Sequence, residues 1–337
     1  MKLSILTLCV ASAAAHTFAS TDNAVAFANF KKTFNKQYFS DEEHSMRASI
    51  FENTLARISA KRAAGDSTAG VTKFSDLTRA EFKQKYLTYK PVDAARRAAA
   101  LEVEVHNGTL SAAPTSFDWR AKSAVTPVKD QGQCGSCWAF SATEQIESQW
   151  YLAGNSLTSF APQQIVSCDK TDAGCDGGDT PTAFEYVEGA GGLATEASYP
   201  YTSGAKGKTG KCKAFKTDGG TISGYSYATP TCTGACKNQD LDMLAANLAS
   251  TAPVSICVNA EAWQDYDSGV LTKKACGAIA YDDLDHCVQL VGYTADYWIV
   301  RNSWNTDWGV KGYIHLARDD NTCGLADEAT FVKIANN

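Results

Sequence analysis

A short stretch in the middle of the chain, Gln131-Gly-Gln-Cys134-Gly-Ser-Cys137-Trp138, constrains the fold more than any other. It is a loop rich in glycine and glutamine, and apolar residues at helical spacing follow it as far as Gly154. This spacing predicts a helix that begins at Cys137 and ends before Gly154, because glycine suits the left-handed position just past a helix end. The unpaired N–H groups at a helix start stabilise a thiolate. The sequence therefore predicts a sulfur nucleophile, Cys137, at the start of a central helix.

The N-terminus has the composition of a secretory signal. Lys2 precedes an apolar core, and small residues follow as far as Ala15, which predicts a signal peptide over residues 1–15, with its end between 15 and 20. The core is too short to anchor the chain in a bilayer, and no other apolar run approaches the roughly 20 residues of a membrane helix. We therefore expect a secretory-pathway protein without a membrane partner, in a lysosome-like or vacuole-like compartment or outside the cell.

Charge and cysteine content narrow the class of protein further. The net charge is -6, which gives no support to nucleic-acid binding. Of the 12 cysteines, Cys9 lies in the predicted signal, and the odd number that remains implies at least one unpaired thiol in an oxidising compartment. Cys137 is the candidate for that thiol.

Beyond the signal, the chain divides into three regions. Residues 21–90 have apolar residues at helical spacing and predict a separate helical region, with Ser75 or Asp76 as the cap of a short helix. Residues 91–112 predict an exposed, alanine-rich linker. Residues 113–337 have a helix-rich half before a strand-rich half, which is typical of an α+β fold with a cleft between two lobes. The predicted helices in this region are Pro181–Glu188 and Gln239–Ala249, and the predicted strands are Val254–Val258, Val288–Tyr293, Tyr297–Val300 and Tyr313–Leu316.

Two features of the linker concern its processing. It contains the dibasic pair Arg96-Arg97, where an exposed segment would be open to proteolysis. It also contains Asn107-Gly-Thr109, which has the pattern of an N-glycosylation acceptor. Both features favour a surface segment over a packed one.

The pair Cys134 and Cys137 has three interpretations. A thiol–disulfide oxidoreductase would use both sulfurs, but no βαβ pattern surrounds this Cys-x-x-Cys run. A zinc site would need a second pair at similar spacing, and the sequence has none, so no metal is expected. In the third interpretation Cys134 is a structural half-cystine, and Cys137 alone is the nucleophile.

The run Cys134-Gly-Ser-Cys137-Trp138 resembles the signature of the papain and cathepsin cysteine peptidases. The resemblance implies a papain-like two-lobed α+β fold, with a helical left lobe and a β-barrel-like right lobe. It also implies a histidine that protonates the leaving amine. His286 lies 149 residues after Cys137, in agreement with the family spacing of about 130–150 residues. The other histidine after the linker, His315, has no comparable motif beside it.

Two further groups complete the implied catalytic site. Asn302, in Asn302-Ser-Trp304, matches the asparagine that orients the histidine, and it lies 165 residues after Cys137. Gln131 matches the glutamine whose amide joins the backbone N–H of Cys137 in stabilising an oxyanion. The chain departs from the family at Asn305, where glycine usually follows Asn-Ser-Trp.

The resemblance also implies a disulfide pattern, which includes Cys134–Cys175, Cys168–Cys212 and Cys276–Cys323. Besides Cys9 in the predicted signal and Cys137 as the candidate free thiol, four cysteines lie outside this pattern. Cys232 and Cys236 are close enough in sequence to close a small surface disulfide. Cys257 and Cys287 fall where the family lines its S2 pocket, which binds P2, the second residue before the scissile bond. These two either form an extra disulfide or remain as two thiols at the pocket wall.

The implied substrate-binding residues are Gly177, Gly178, Asp179, Cys257, Asp285, Cys287, Trp308 and Glu328. Asp179 stands where the family usually has a bulky apolar or aromatic residue. Glu328 matches the floor of the S2 pocket, and relatives with glutamate there accept a basic P2 residue besides apolar ones. We hypothesise that the pocket accepts apolar side chains and also Arg or Lys, because two carboxylates would face it. The alternative is that both carboxylates face solvent.

The helical region 21–90 resembles the inhibitory propeptide of the cathepsin L-like branch. Its pattern begins at Glu43 and departs from the family at Thr54 and Arg62, which are usually asparagine; a second motif departs in the same way at Thr72. The first 112 residues have 15 basic and 11 acidic side chains, whereas the remainder has 16 and 26. A basic propeptide should dock on an acidic enzyme near neutral pH and loosen when acid protonates carboxylates.

These features predict the zymogen of a cysteine endopeptidase, with a mature domain over 113–337 and no organic cofactor. No paired-histidine insertion of the carboxydipeptidase kind is present. The expected partners are peptide or protein substrates, the chain's own propeptide as an intramolecular inhibitor, and cystatin-like inhibitors, and the expected state is a monomer. A catalytically inactive papain-like binding protein is one alternative, and the intact Cys, His, Asn and Gln set argues against it. The oxidoreductase is the other, and it would leave Cys175 without its partner.

Overall fold

The computed structural model describes residues 21–91, 103–106, 113–232, 236 and 239–335. The predicted signal over 1–15, the pair Arg96-Arg97 and the acceptor Asn107 lie outside the described residues. Among the described helices, none combines the length and the apolar character that crossing a membrane requires.

Three helices form the N-terminal region, and they are α1 (Thr21–Thr33), α2 (Asp41–Ala63) and α3 (Arg79–Tyr86). The first two pack against each other through aromatic rings, which include those of Phe27, Phe30 and Phe51. These rings recur at helical spacing, so each helix presents one apolar face to the other. The prediction of a helical region here agrees with the structure.

The cap of α3 differs from the prediction. Thr78 is the N-cap, and it forms a capping box with Glu81, which satisfies two backbone N–H groups at the helix start. Ser75 lies upstream of the cap, and the carboxylate of Asp76 accepts a hydrogen bond from Lys36 at 2.9 Å. The choice of Ser75 or Asp76 was therefore wrong, because a partner distant in sequence occupies the carboxylate.

The following region contains α4 (Cys137–Leu152), α5 (Pro162–Cys168), α6 (Thr180–Ala190), α7 (Leu241–Ser250) and α8 (Lys273–Cys276). Helix α4 begins at the predicted residue, and Gly154 beyond its end has a φ of +96°, a conformation that glycine adopts without a Cβ clash. The first three turns of α4 are buried on all sides. This helix is therefore the central element that both lobes share.

The strands are β1 (Phe117–Asp118), β2 (Ile222–Tyr227), β3 (Val254–Val258), β4 (Val270–Leu271), β5 (His286–Tyr293), β6 (Tyr297–Arg301), β7 (Tyr313–Ala317) and β8 (Glu328–Ile334). They form a sheet in the order β2-β8-β3-β5-β6-β7-β4, and β1 pairs with β5 beside this path. The expectation of a barrel-like lobe needs a correction. β2 and β4 are the two ends of this order, and β4 is a two-residue strand that pairs only with β7, in parallel, among the described strands. Because β2 and β4 do not pair with each other, the sheet stays open.

Two apolar cores correspond to the two lobes. One lies between α4, α5 and α6 and includes Trp138, Ile165 and Phe184. The other lies against the sheet and includes Trp263 and Val300. The start of α4 and the start of β5 meet at the boundary between these cores, which is the position that a cleft between two lobes would have.

The disulfides are Cys134–Cys175, Cys168–Cys212, Cys232–Cys236, Cys257–Cys287 and Cys276–Cys323. Three of these are the pairs that the resemblance implies, and Cys137 is the free cysteine of the described chain. Cys257 and Cys287 face each other in the register of β3 and β5, so they form the extra disulfide. Cys232 and Cys236 lie near Asp327, but sulfurs that are joined to each other offer no thiolate to a metal.

Candidate active site

The loop before α4 holds Cys137 in place. The disulfide Cys134–Cys175 closes this loop, and the N–H of Gly135 donates to the carbonyl of Cys175 at 3.1 Å. A Cβ at Gly135 would lie 2.5 Å from that carbonyl oxygen, so only glycine allows this approach. The loop therefore delivers Cys137 to the first position of α4, where backbone N–H groups favour a thiolate.

His286 and Asn302 are brought together by neighbouring strands. His286 begins β5, and Asn302 follows the end of β6, which pairs with β5. The Nε2 atom of His286 lies 2.8 Å from Oδ1 of Asn302. Trp304 stacks on the imidazole with ring centres 4.7 Å apart, and all three side chains are buried. This cover excludes water and strengthens the hydrogen bond that orients the imidazole.

The sulfur of Cys137 lies beside the backbone of Cys287, the residue after His286. Burial raises the pKa of the Cys137 thiol, although hydrogen bonds from the backbone of Cys287 and Thr88 oppose this effect. Burial also lowers the pKa of His286 to about 4, against the hydrogen bond with Asn302. Both groups are therefore uncharged at neutral pH while the site is covered.

Gln131 is fixed by the loop that carries Asn302. Its amide Oε1 accepts hydrogen bonds from the Ser303 hydroxyl at 2.7 Å and from Trp304 Nε1 at 3.1 Å. Its Nε2 donates to the carbonyl of Cys134 at 3.1 Å, and the amide has a second N–H. Because the oxygen is occupied, the amide presents its donors towards the loop that leads to Cys137.

The segment after α3 runs across the predicted substrate-binding residues. The N–H of Tyr89 donates to the carbonyl of Asp285 at 3.0 Å, and the N–H of the next residue donates to the carbonyl of Gly178 at 3.1 Å. A Cβ at Gly177 would lie 2.0 Å from the carbonyl oxygen of Thr88. The chain's own backbone therefore occupies the groups that the resemblance assigns to substrate.

The two carboxylates of the predicted pocket do not face solvent. Asp179 caps α6, and its Oδ1 accepts a hydrogen bond from the N–H of Thr180 at 2.7 Å. Glu328 accepts a hydrogen bond from the hydroxyl of Tyr281 at 2.8 Å. Both are 1% exposed, so the solvent-facing alternative is wrong for this form of the chain. Burial raises the pKa of Glu328 to about 7, against hydrogen bonds from Tyr281 and Tyr227.

Two aromatic residues at this pocket were missed by the sequence reasoning. Tyr89 and Tyr281 belong to one buried cluster with Cys137 and the Cys257–Cys287 disulfide. The position of Tyr281, five residues before His286 in the same run, is the one signal that the sequence offered. Its partner Glu328 lies on a different strand, so no local pattern indicated the contact.

The structure also shows the surroundings of the predicted residues Asp285, Trp308 and Asn305. The carboxylate of Asp285 accepts a hydrogen bond from the N–H of Ala260 at 2.7 Å. Trp308 is buried and packs edge-on to Trp304, with ring centres 4.8 Å apart, so it supports the ring that covers the histidine. Asn305 has a φ of +63°, and asparagine is among the few residues that tolerate this conformation in place of glycine.

Comparison with known proteins gives two family matches. Residues 113–333 match the papain family cysteine protease domain, and residues 27–82 match the cathepsin propeptide inhibitor domain (I29). A cysteine proteinase of Trypanosoma brucei brucei is 41% identical over 304 residues, which cover 88% of this chain and 64% of that protein. Cysteine proteinase 15A of Pisum sativum is 38% identical over 339 residues, which cover 92% of this chain and 86% of the pea protein. The chain thus spans less than two thirds of the Trypanosoma relative.

Two solved structures are similar over both regions. Digestive procathepsin L 3 of the Tenebrio molitor larval midgut superposes with a TM-score of 0.78 at 32% identity, covering 94% of this chain and all 100% of that one. A recombinant stem bromelain precursor superposes with a TM-score of 0.77 at 30% identity, with the same coverage of 94% and 100%. This protein belongs to the papain family of cysteine proteases, and it has a cathepsin-type propeptide inhibitor domain at its N-terminal side.

Proposed function

We propose that this protein is the zymogen of a cysteine endopeptidase, with an active enzyme that begins at about residue 113 and an inhibitory propeptide over residues 21–90. The observation that carries the proposal is the oriented His286–Asn302 pair at the point where α4 presents Cys137. A secretory-pathway protein in a lysosome-like or vacuole-like compartment, or outside the cell, agrees with the N-terminal sequence.

The reaction would use the four groups as follows. The thiolate of Cys137 attacks the peptide carbonyl carbon, and His286 gives its proton to the leaving amine. The amide of Gln131 and the N–H of Cys137 donate hydrogen bonds to the oxyanion. Water, deprotonated by His286, then breaks the acyl–sulfur bond and releases the acid product. Asn302 keeps the imidazole oriented through both steps.

Charge separation between the sulfur and the imidazole depends on removal of the propeptide. In the covered site, burial favours the neutral thiol and the neutral imidazole. Once the segment around Thr88 leaves, water returns to the site, and the desolvation that opposes an ion pair falls. We therefore expect the zymogen to hold an uncharged Cys137 and His286, and the mature enzyme to hold the reactive pair.

The propeptide would inhibit the enzyme through two separate contacts. Its backbone at Thr88 and Tyr89 fills the cleft. On the sheet-containing lobe, the buried carboxylate of Asp265 binds three propeptide cations, at 2.7 to 2.9 Å. These cations are Arg57, Lys61 and Arg79. The same closed cleft would be the binding site of cystatin-like inhibitors after maturation.

For the S2 pocket we propose a preference for apolar P2 side chains, with basic ones accepted when Glu328 is charged. The Cys257–Cys287 disulfide gives the pocket an apolar wall, and Glu328 is the carboxylate behind it. The test compares fluorogenic Phe-Arg and Arg-Arg dipeptidyl amides. Negligible cleavage of Arg-Arg together with good cleavage of Phe-Arg would exclude the basic preference.

The alternative functions have less support. An oxidoreductase needs exchange between Cys134 and Cys137, but Cys134 is joined to Cys175. An inactive binding protein would have no need of the hydrogen bonds that orient His286 and Gln131.

The test of the peptidase proposal uses the variants Cys137→Ala and His286→Ala. Each should lower cleavage of a Phe-Arg substrate by at least a factor on the order of a thousand, and Cys137→Ala should abolish labelling by a thiol-directed peptidyl inhibitor. The matched control is His315→Ala, since His315 lies on β7 and stacks on Tyr297 instead of facing the sulfur. Retained turnover in Cys137→Ala would refute the mechanism.

A further inference from the structure

We propose that Tyr281 is a specificity-determining residue, and that the S2 pocket selects tyrosine over phenylalanine at P2 by hydrogen bonding to the phenol hydroxyl. The inference rests on the proposed peptidase function and specifies which side chain the peptidase prefers at P2. It depends on a contact inside the zymogen, in which the propeptide residue Tyr89 occupies the place of a P2 side chain.

Tyr89 lies in the pocket that the family uses for P2. It is 5% exposed, and it belongs to the buried cluster that contains the Cys257–Cys287 disulfide, Leu284 and Tyr281. The two cysteines are the positions that the family resemblance assigns to the S2 wall. Because Tyr89 reaches this wall beside Cys137, its side chain shows the size and shape that the pocket accepts.

The hydroxyl of Tyr89 meets the hydroxyl of Tyr281 at the end of the pocket. It lies 3.3 Å from the hydroxyl of Tyr281. That hydroxyl in turn lies 2.8 Å from Oε2 of Glu328, to which it donates. A phenol has a single hydrogen to donate, so Tyr281 gives its hydrogen to Glu328 and presents a lone pair to the occupant.

The position of this acceptor is fixed by the sheet. Glu328 begins β8 directly opposite Cys257 on β3, and Cys257 is bonded to Cys287 on β5. The carboxylate, the pocket wall and the catalytic strand are therefore one rigid unit. Tyr281 is itself 2% exposed, so water has little access to its hydroxyl.

This arrangement favours a P2 side chain that carries a donor at the end of an aromatic ring. Tyrosine donates to Tyr281, whereas phenylalanine places an apolar ring edge against a buried acceptor. One net hydrogen bond corresponds to a preference of about fivefold in kcat/KM. Sites built to hydrogen-bond a substrate hydroxyl discriminate against the analogue that lacks it.

The test measures kcat/KM of the mature enzyme on four dipeptidyl-arginine amides that differ only at P2. These residues are tyrosine, phenylalanine, 4-aminophenylalanine and O-methyltyrosine. We expect tyrosine and 4-aminophenylalanine, which donate, to exceed phenylalanine by about fivefold. O-methyltyrosine, which cannot donate, should fall to the level of phenylalanine or below it. This comparison needs no variant, so it is independent of whether a substituted chain folds.

The variant Tyr281→Phe should reduce the tyrosine-to-phenylalanine ratio to about one. The control Tyr297→Phe removes a hydroxyl on β6, outside the pocket, and should keep the ratio of the parent enzyme. Equal turnover of the tyrosine and phenylalanine substrates, or a ratio that survives Tyr281→Phe, would overturn this inference while leaving the peptidase function intact. Absence of turnover on all four substrates would instead count against the peptidase function.

Discussion

The Asp265 contact should contribute about 2 kcal/mol to the free energy with which the propeptide binds the enzyme domain. The Asp265 side chain is 0% exposed, and burial alone would raise its pKa. Arg57, Arg79 and Lys61 reverse that effect and lower the pKa from 3.8 to about 2. A shift of that size corresponds to about 2 kcal/mol of stabilisation of the charged form. The three cations are themselves 27% to 40% exposed, so water can solvate them when the carboxylate is removed.

The perturbation is Asp265→Asn in the full-length zymogen. Loss of about 2 kcal/mol raises the fraction of molecules with an open cleft by roughly thirtyfold. A thiol-directed peptidyl inhibitor reaches Cys137 only in open molecules, so its labelling rate at neutral pH reports this fraction. We expect labelling of the variant to be roughly thirtyfold faster than labelling of the parent zymogen, before any processing occurs.

The matched control is Glu261→Gln on the same short helical segment, Glu261–Asp265. Glu261 pairs with Lys83, another propeptide cation, but both partners are more than half exposed. Exposed pairs contribute between about 0 and 1 kcal/mol, so this variant should accelerate labelling by less than about fivefold. Equal labelling rates of Asp265→Asn and Glu261→Gln would refute the argument that burial makes the Asp265 contact strong.

The same contact restricts how acid can release the propeptide. A carboxylate with a lowered pKa stabilises the closed form above its ordinary pKa of 3.8, and this contribution disappears as the pH falls through about 2. At pH 4.5 Asp265 is therefore still charged and still bound. If acid triggers maturation, the response arises in contacts between propeptide and enzyme other than that of Asp265. Zymogen that matures at equal rates at pH 4.5 and pH 7 would contradict acid release altogether.

Three further outcomes follow from the site. Gly177→Ala introduces a Cβ 2.0 Å from the Thr88 carbonyl, at a φ of +112°, so labelling of the zymogen should accelerate; an unchanged rate would show that the loop relaxes. Asn302→Ala removes the hydrogen bond to His286 and should lower kcat by roughly tenfold to a hundredfold, measured on Phe-Arg amide; full activity would contradict its orienting role. Glu328, with a pKa raised by burial to about 7, is neutral below that value. The kcat/KM ratio for arginine over phenylalanine at P2 should therefore rise with pH, with a midpoint at or below about 7, and a flat ratio would exclude its charge.

Much of the secondary structure was predictable because it depends on local patterns. The strand Val254–Val258 was predicted with its observed bounds, since a run of β-branched and apolar residues between turns is a local signal. The helix from Cys137 was predicted for the same reason, and Gly154 marks its end as expected. The cap of α3 was missed, although Thr78 and Glu81 have the local Thr-x-x-Glu pattern of a capping box.

The candidate site likewise has one part that the sequence predicts and another that depends on the tertiary structure. The residue types at Cys137, His286 and Asn302 can be read along the chain, because the proposed nucleophile, base and orienting amide each lie in a recognisable sequence motif. The contact between His286 and Asn302 cannot be read in this way, because the pairing of β5 with β6 brings these two residues together. The expected barrel-like closure was also beyond the sequence, since whether edge strands meet depends on the twist and length of the whole sheet.

By itself, the sequence determined the family and several of the helices and strands, because the motifs and patterns that indicate them are local, and it predicted the residue types of the candidate site. Only the tertiary structure decided that Cys257 is bonded to Cys287, that Tyr281 binds Glu328 and that three propeptide cations converge on Asp265. Each of these contacts joins segments far apart in sequence, and burial determines its strength. The type of a side chain determines which groups it can bind. The packing around it determines which of those groups it contacts and whether water competes for the contact.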